Sequence, residues 1–150
     1  MSKYRRILAL VAFNIDSAAV AQRAVQLSRF YGATLALAAV VDSTAGFASD
    51  HVHLPAADDR RQTSMRGKLD RMMTEIGYGG GCEIIVGCGS EQKVVSELTF
   101  SWRPDLVLVG SRARHGLEQN GERTPYDVLI VQDSRAGFAG RMINALAVAL

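Results

Sequence analysis

The sequence predicts an α/β domain built on a parallel sheet, and three observations lead there. Short, mostly apolar runs recur at residues 7–11, 34–41, 83–86, 106–109 and 128–131, as strands do when both faces of a sheet are buried. The segments between the first four runs repeat their apolar residues at helical spacing. The helical segments also stop at residues suited to stopping them, Gly32, Gly77 and Pro104. At 150 residues the chain is one domain, 1–150, able to bury about 68–70% of the surface its unfolded form exposes. It needs no disulfide or metal staple.

The elements are read in chain order. Strand one, 7–11, leads to a helix with Val20, Ala24, Leu27 and Tyr31 on one stripe and Gln22, Arg23, Gln26 and Arg29 opposite. Asp16 or Ser17 caps this helix and Gly32 ends it. Strand two, 34–41, is followed by an irregular stretch to residue 57 and a helix with the stripe Met65, Leu69, Met72 and Ile76. Met65, Met72 and Met73 read as core. After Gly77 and the flexible turn at 79–81 comes strand three, 83–86. Ser90 caps the next helix, which carries Val94, Leu98 and Trp102 and is stopped by Pro104. Strands four and five are 106–109 and 128–131, with little room for a helix between Leu117 and Pro125. From Gly137, the residues Phe138, Met142, Ile143, Leu146 and Leu150 share one stripe, so 137–150 is expected to be an amphipathic C-terminal helix. This helix is expected to cover the sheet face left bare by the short connection between strands four and five. Crossing to a second subunit fits the same pattern, and the sequence does not choose.

Composition excludes several classes of function. With 17 basic and 15 acidic residues the net charge is +2, too small to argue for nucleic acid or a membrane surface as partner. Cys82 and Cys88 are spaced unfavourably for a bridge along one extended segment, which points to a reducing, cytoplasmic setting. Lys3, Arg5 and Arg6, the apolar residues 7–13 and Ala19-Val20-Ala21 imitate a secretory leader. The apolar run is short, Asn14 and Asp16 interrupt the apolar pattern beyond it, and an amphipathic helix comes next, so no leader is expected. No apolar run is long enough to span a membrane.

The segment carrying the most chemistry is Asp105 to Leu117, where an apolar strand runs into Gly110-Ser111-Arg112-Ala113-Arg114-His115-Gly116. Glycines at a strand end let backbone N–H groups approach an anion, and Arg112 and Arg114 add positive charge near the switch between strands one and four. The simpler alternative is an exposed polar loop. Gly87-Cys88-Gly89-Ser90 offers N–H groups at a helix start, though a tight turn with a serine cap explains it more simply. The Cys88 thiol is a redox candidate against the simpler reading of a packed small residue. His51 and His53 lack a third ligand at suitable spacing, so no metal site is expected. There is no Gly-x-Ser-x-Gly elbow. Nothing fixes Glu118 or Glu122 as a metal-holding carboxylate beside phosphates, so no enzyme is expected.

Ile7-Leu8-Ala9-Leu10-Val11, the helix end from Ala24 to Ala33, Gly87-Cys88-Gly89-Ser90-Glu91 and Pro104-Asp105-Leu106-Val107-Leu108-Val109-Gly110-Ser111 together resemble the universal stress protein family, over residues 4 to about 132. The resemblance implies a five-stranded parallel sheet in the order 3-2-1-4-5. It also implies a homodimer paired through the fifth strands, here Val128, Leu129, Ile130 and Val131. One branch of the family binds ATP through an aspartate after strand one, a valine ending strand two, and a Gly-x-x-Gly loop followed nine residues later by Gly-Ser or Gly-Thr. Here Ala12 stands at the aspartate and Ala113 at the second loop glycine, and the distal Gly-Ser is missing. Val41, Gly110, Gly116 and Leu117 keep their places.

A hydrogen bond to a charged group is worth about 1.5–3 kcal/mol, and a helix N-terminus facing an anion about 0.3–1 kcal/mol. At about 1.4 kcal/mol per tenfold, losing both moves micromolar binding toward millimolar. The expectation is therefore a non-catalytic, cytoplasmic, homodimeric stress-response or regulatory protein without a cofactor. Its surfaces bind another protein, or its degenerate pocket senses a small anion. The alternative is an ATP or AMP sensor with Ala12, Val41, Gly110, Ser111, Arg112, Arg114 and Gly116 at the site.

Overall fold

A computed structural model describes residues 3–12, 16–41, 55–78, 81–111 and 125–132, with backbone only for 55–58. In chain order the elements are β1 (Arg6–Leu10), α1 (Ser17–Tyr31), β2 (Thr34–Val41), α2 (Pro55–Ile76), β3 (Cys82–Cys88), α3 (Glu91–Trp102), β4 (Leu106–Gly110) and β5 (Asp127–Val131). The strands form one sheet in the order β3-β2-β1-β4-β5, and every pairing is parallel. The central strand β1 sets Ile7 beside both Leu35 of β2 and Leu106 of β4. β3 is longer than its apolar run because it pairs with β2 all the way from Leu35 opposite Cys82 to Val41 opposite Cys88.

Alternation along each strand divides the core into two layers. Ile7, Ala9, Leu35, Leu37, Leu106 and Leu108 face α1 and α2, packing against Val20, Ala21, Ala24 and Val25 and against Leu69 and Met73. Leu8, Ala36, Ala38, Val107 and Val109 face α3 and pack on Leu98 and Trp102. Met65 and Met72 pack against the first layer, in line with the core reading of the methionines.

Local chemistry accounts for the helix ends. Gly32 closes α1 in the left-handed region at φ 63°, a conformation glycine adopts without a Cβ penalty. Ser90 caps α3, its hydroxyl accepting from the Lys93 N–H at 3.4 Å. Arg103 takes φ 53° just before Pro104. The buried stripes are rotated slightly from a strict spacing of four. α1 buries Val20, Ala21, Ala24, Val25 and Ser28, leaving Leu27 partly buried at the margin. α3 buries Val95, Leu98 and Trp102. A period of 3.6 residues drifts from a spacing of four by almost half a residue each turn. Val94 instead lies against Gly87, where an added Cβ would run into its side chain.

The amino-terminal ends of the strands are stitched by polar contacts. The Asp105 carboxylate accepts from the backbone N–H groups of Arg5 and Arg6 at 2.8 and 2.9 Å, and the Asp105 N–H donates to Arg6 O at 2.8 Å. The Arg6 guanidinium lies 4.0 Å from the centre of the Trp102 ring and donates through Nε to Trp102 O at 2.9 Å. Trp102 Nε1 donates to Glu83 Oε2 at 3.0 Å, which ties α3 to β3. Tyr4 donates to Asp127 at 2.7 Å, joining the segment before β1 to the start of β5. Cys82 and Cys88 are both free thiols. No described helix is long and apolar enough to cross a membrane.

Candidate functional site

In a doubly wound sheet the crevice opens at the carboxyl ends of the strands where the chain reverses direction, here between β1 and β4. The side chain that crosses this point is Asp16. It precedes α1 with φ −88° and ψ −8°, and its carboxylate makes no capping bond. Instead, Asp16 Oδ2 accepts from Ser111 Oγ at 3.1 Å, in a residue only 4% exposed. Of the two residues expected to cap α1, Asp16 and Ser17, Asp16 holds the N-cap position, but its side chain does not do the capping. Capping residues usually hold an extended backbone that aims the side chain at the first free N–H groups, whereas the helical backbone of Asp16 releases its carboxylate toward β4.

Gly110 makes the approach possible, since a Cβ there would sit 3.0 Å from Asp16 Cβ and 3.3 Å from its Oδ2. The glycine expected to bring backbone near an anion thus admits the protein's own carboxylate. The sequence signal was present, a Gly-Ser pair ending one strand and an acid heading the helix after its neighbour. Only the strand order makes them adjacent.

The other site residues fall around this contact. Ala12 follows β1 and is exposed, while Val41 is buried at the end of β2 on the opposite side of β1 from Gly110. Arg112, Arg114 and Gly116 lie outside the described residues, as do Ala113, His115, Leu117, His51 and His53. The structure therefore brings Gly110 and Ser111 together with Asp16, and sets Val41 apart.

The turn after β3 is committed to the fold. The Gly89 N–H donates to Val41 O at 3.0 Å, Gly89 has φ 138°, and Ser90 is spent on its cap. Burial pushes the Cys82 thiol above its ordinary value, with Asp70 adding to the shift. Among the described residues no group of three or more His, Cys, Asp or Glu side chains is placed to hold a metal.

A cleft of about 380 Å³ beside the end of β2 went unforeseen from the sequence. Arg60, Arg61 and Lys68 of α2 border it, around Val40, Val41 and Met65. Its signal was the helical spacing of Arg61, Met65 and Lys68, which only the position of β2 turns into a cleft.

The fold and the switch-point contact define a doubly wound, parallel α/β protein. The sequence profile described as the universal stress protein family matches residues 3–120, and the chain belongs to that family. No curated protein matches it. Among solved structures it is similar to the universal stress protein UspA from Lactobacillus plantarum, with 17% identity, 87% of this chain and 99% of that chain covered, and a TM-score of 0.66. It is also similar to a universal stress protein solved in complex with cAMP, at 17% identity, 88% and 98% coverage and a TM-score of 0.61. A third similar structure is a universal stress family protein from Arabidopsis thaliana with AMP bound, at 18% identity, 85% and 90% coverage and a TM-score of 0.54. At these identities the likeness speaks for the fold.

Proposed function

We propose that this chain is a non-catalytic, cytoplasmic, homodimeric universal stress protein with a stress-response or regulatory role, and that its switch-point crevice does not bind ATP. The observation that carries the reading is the buried Asp16 carboxylate held by Ser111 at 3.1 Å. A phosphate site needs N–H donors and positive potential, and a triphosphate entering between α1 and β4 would meet a fixed negative charge. Ala12 adds to this, presenting a methyl group where the ATP-binding branch carries a carboxylate. The open edge of β5 supports the dimer, because an edge strand displays unpaired backbone groups that another strand can take up.

The test is to denature freshly purified protein, identify any released small molecule by mass spectrometry, and titrate the refolded chain with ATP and AMP by calorimetry. No released nucleotide and no heat up to millimolar ligand are expected. A nucleotide sensor is the second reading, favoured by the relatives solved with cAMP and AMP and by Val41. Released nucleotide or micromolar binding would establish that reading instead.

A further inference from the structure

Among the described residues, no helix covers one part of one face of the sheet. Register places Val128 beside Val107 and Ile130 beside Val109, so these β5 side chains continue the layer that α3 covers. Val107 and Val109 are fully buried in that layer. Val128 and Ile130 are 40% and 42% exposed. Their neighbour Leu129 faces the other way and packs against the α1 and α2 layer. A parallel sheet is normally covered on both faces, and the usual cover here would be the helix crossing from β4 to β5. The sequence of this crossover, 111–126, rules that out, since between Ser111 and Pro125 its only large apolar residue is Leu117.

We infer that residues 137–150 of the same chain dock on this face, antiparallel to β5. These residues carry what the crossover lacks, Phe138, Met142, Leu146 and Leu150 at a spacing of four. Fourteen residues at the helical rise span about 21 Å, against about 17 Å for the five residues of β5. The link 132–136 reaches about 17 Å when extended, enough to turn back over the face. A segment tethered so closely competes at an effective concentration in the millimolar range, ahead of a second copy at micromolar concentration. Running back from the end of β5, Phe138 meets Ile130, and Met142, about 6 Å further along the helix, meets Val128, about 7 Å along the strand.

The test uses the unaltered full-length chain, methyl-labelled, and measures nuclear Overhauser contacts from Val128 and Ile130. Contacts to Phe138 and Met142 are expected in uniformly labelled protein. They should be lost in filtered spectra of a mixture of labelled and unlabelled chains, which report only contacts between copies. Contacts that persist in the filtered spectra would place a second copy's segment on the face and overturn the inference. The absence of any contact between these residues and 137–150 would overturn it equally.

Discussion

At the scale of single residues, closure of the crevice turns on Asp16, Ser111 and Gly110. Changing Ser111→Ala leaves a buried carboxylate without its hydroxyl donor, and a loss of about 1.5–3 kcal/mol is expected, read as a lower urea midpoint. Changing Gly110→Ala forces a methyl group against Asp16, where an added Cβ lies 3.0 Å from Asp16 Cβ, and should cost about 1–3 kcal/mol. In an Asp16→Gly background the same change should cost much less. Equal costs in both backgrounds would show that the close approach is not what keeps residue 110 a glycine. The sequence identified Gly110 and Ser111 but assigned Asp16 to local capping. Capping is visible along the chain, whereas a contact between residues 95 positions apart depends on strand order.

At the scale of elements, the two polar stitches carry the expectations. Trp102 is 8% exposed and joins α3 to β1 and β3 through Arg6 and Glu83. Trp102→Ala should lower stability by about 3–5 kcal/mol, followed by circular dichroism during denaturation. Asp105→Ala removes the acceptor for two backbone N–H groups and should cost about 2 kcal/mol, while Asp105→Asn should recover part of the loss.

Strand positions and helix ends were legible at this scale because apolar runs, Gly32, Ser90 and Pro104 act locally. The phase of the helices was less so. Val95 rather than Val94 is buried in α3 because a strict spacing of four overshoots the helical period, and because Val94 is needed beside Gly87. The role of Asp105 is not legible along the chain, since its partners Arg5 and Arg6 lie just before and at the start of β1, which only the parallel topology brings alongside β4.

For the molecule as a whole, pH dependence and assembly are the accessible properties. Burial raises the Cys82 thiol above its ordinary value of 9.0. Burial and then the hydrogen bond to Asp127 raise the Tyr4 hydroxyl above 10.0. Both groups hold their protons more tightly when folded. Their contribution is complete below these ordinary values and is lost as pH rises through the higher folded ones. Stability should therefore fall on the alkaline side from about pH 9 upward, and Cys82→Ser should flatten the first part of that fall in denaturant midpoints measured across pH 8–11.

Apolar runs in sequence order point to a parallel α/β sheet, while its strand order is legible only through the family resemblance carried by the motifs at Ala24–Ala33, Gly87–Glu91 and Pro104–Ser111. The cleft beside α2 and the closure at Asp16 belong to the assembled molecule, where groups distant in sequence first meet. The most direct measurement of the central proposal is native mass spectrometry of the freshly purified full-length protein, which reads assembly and bound ligand together. A species of twice the chain mass with no added mass of a nucleotide is expected. A monomer, or a dimer carrying one adenine nucleotide per chain, would contradict the proposal.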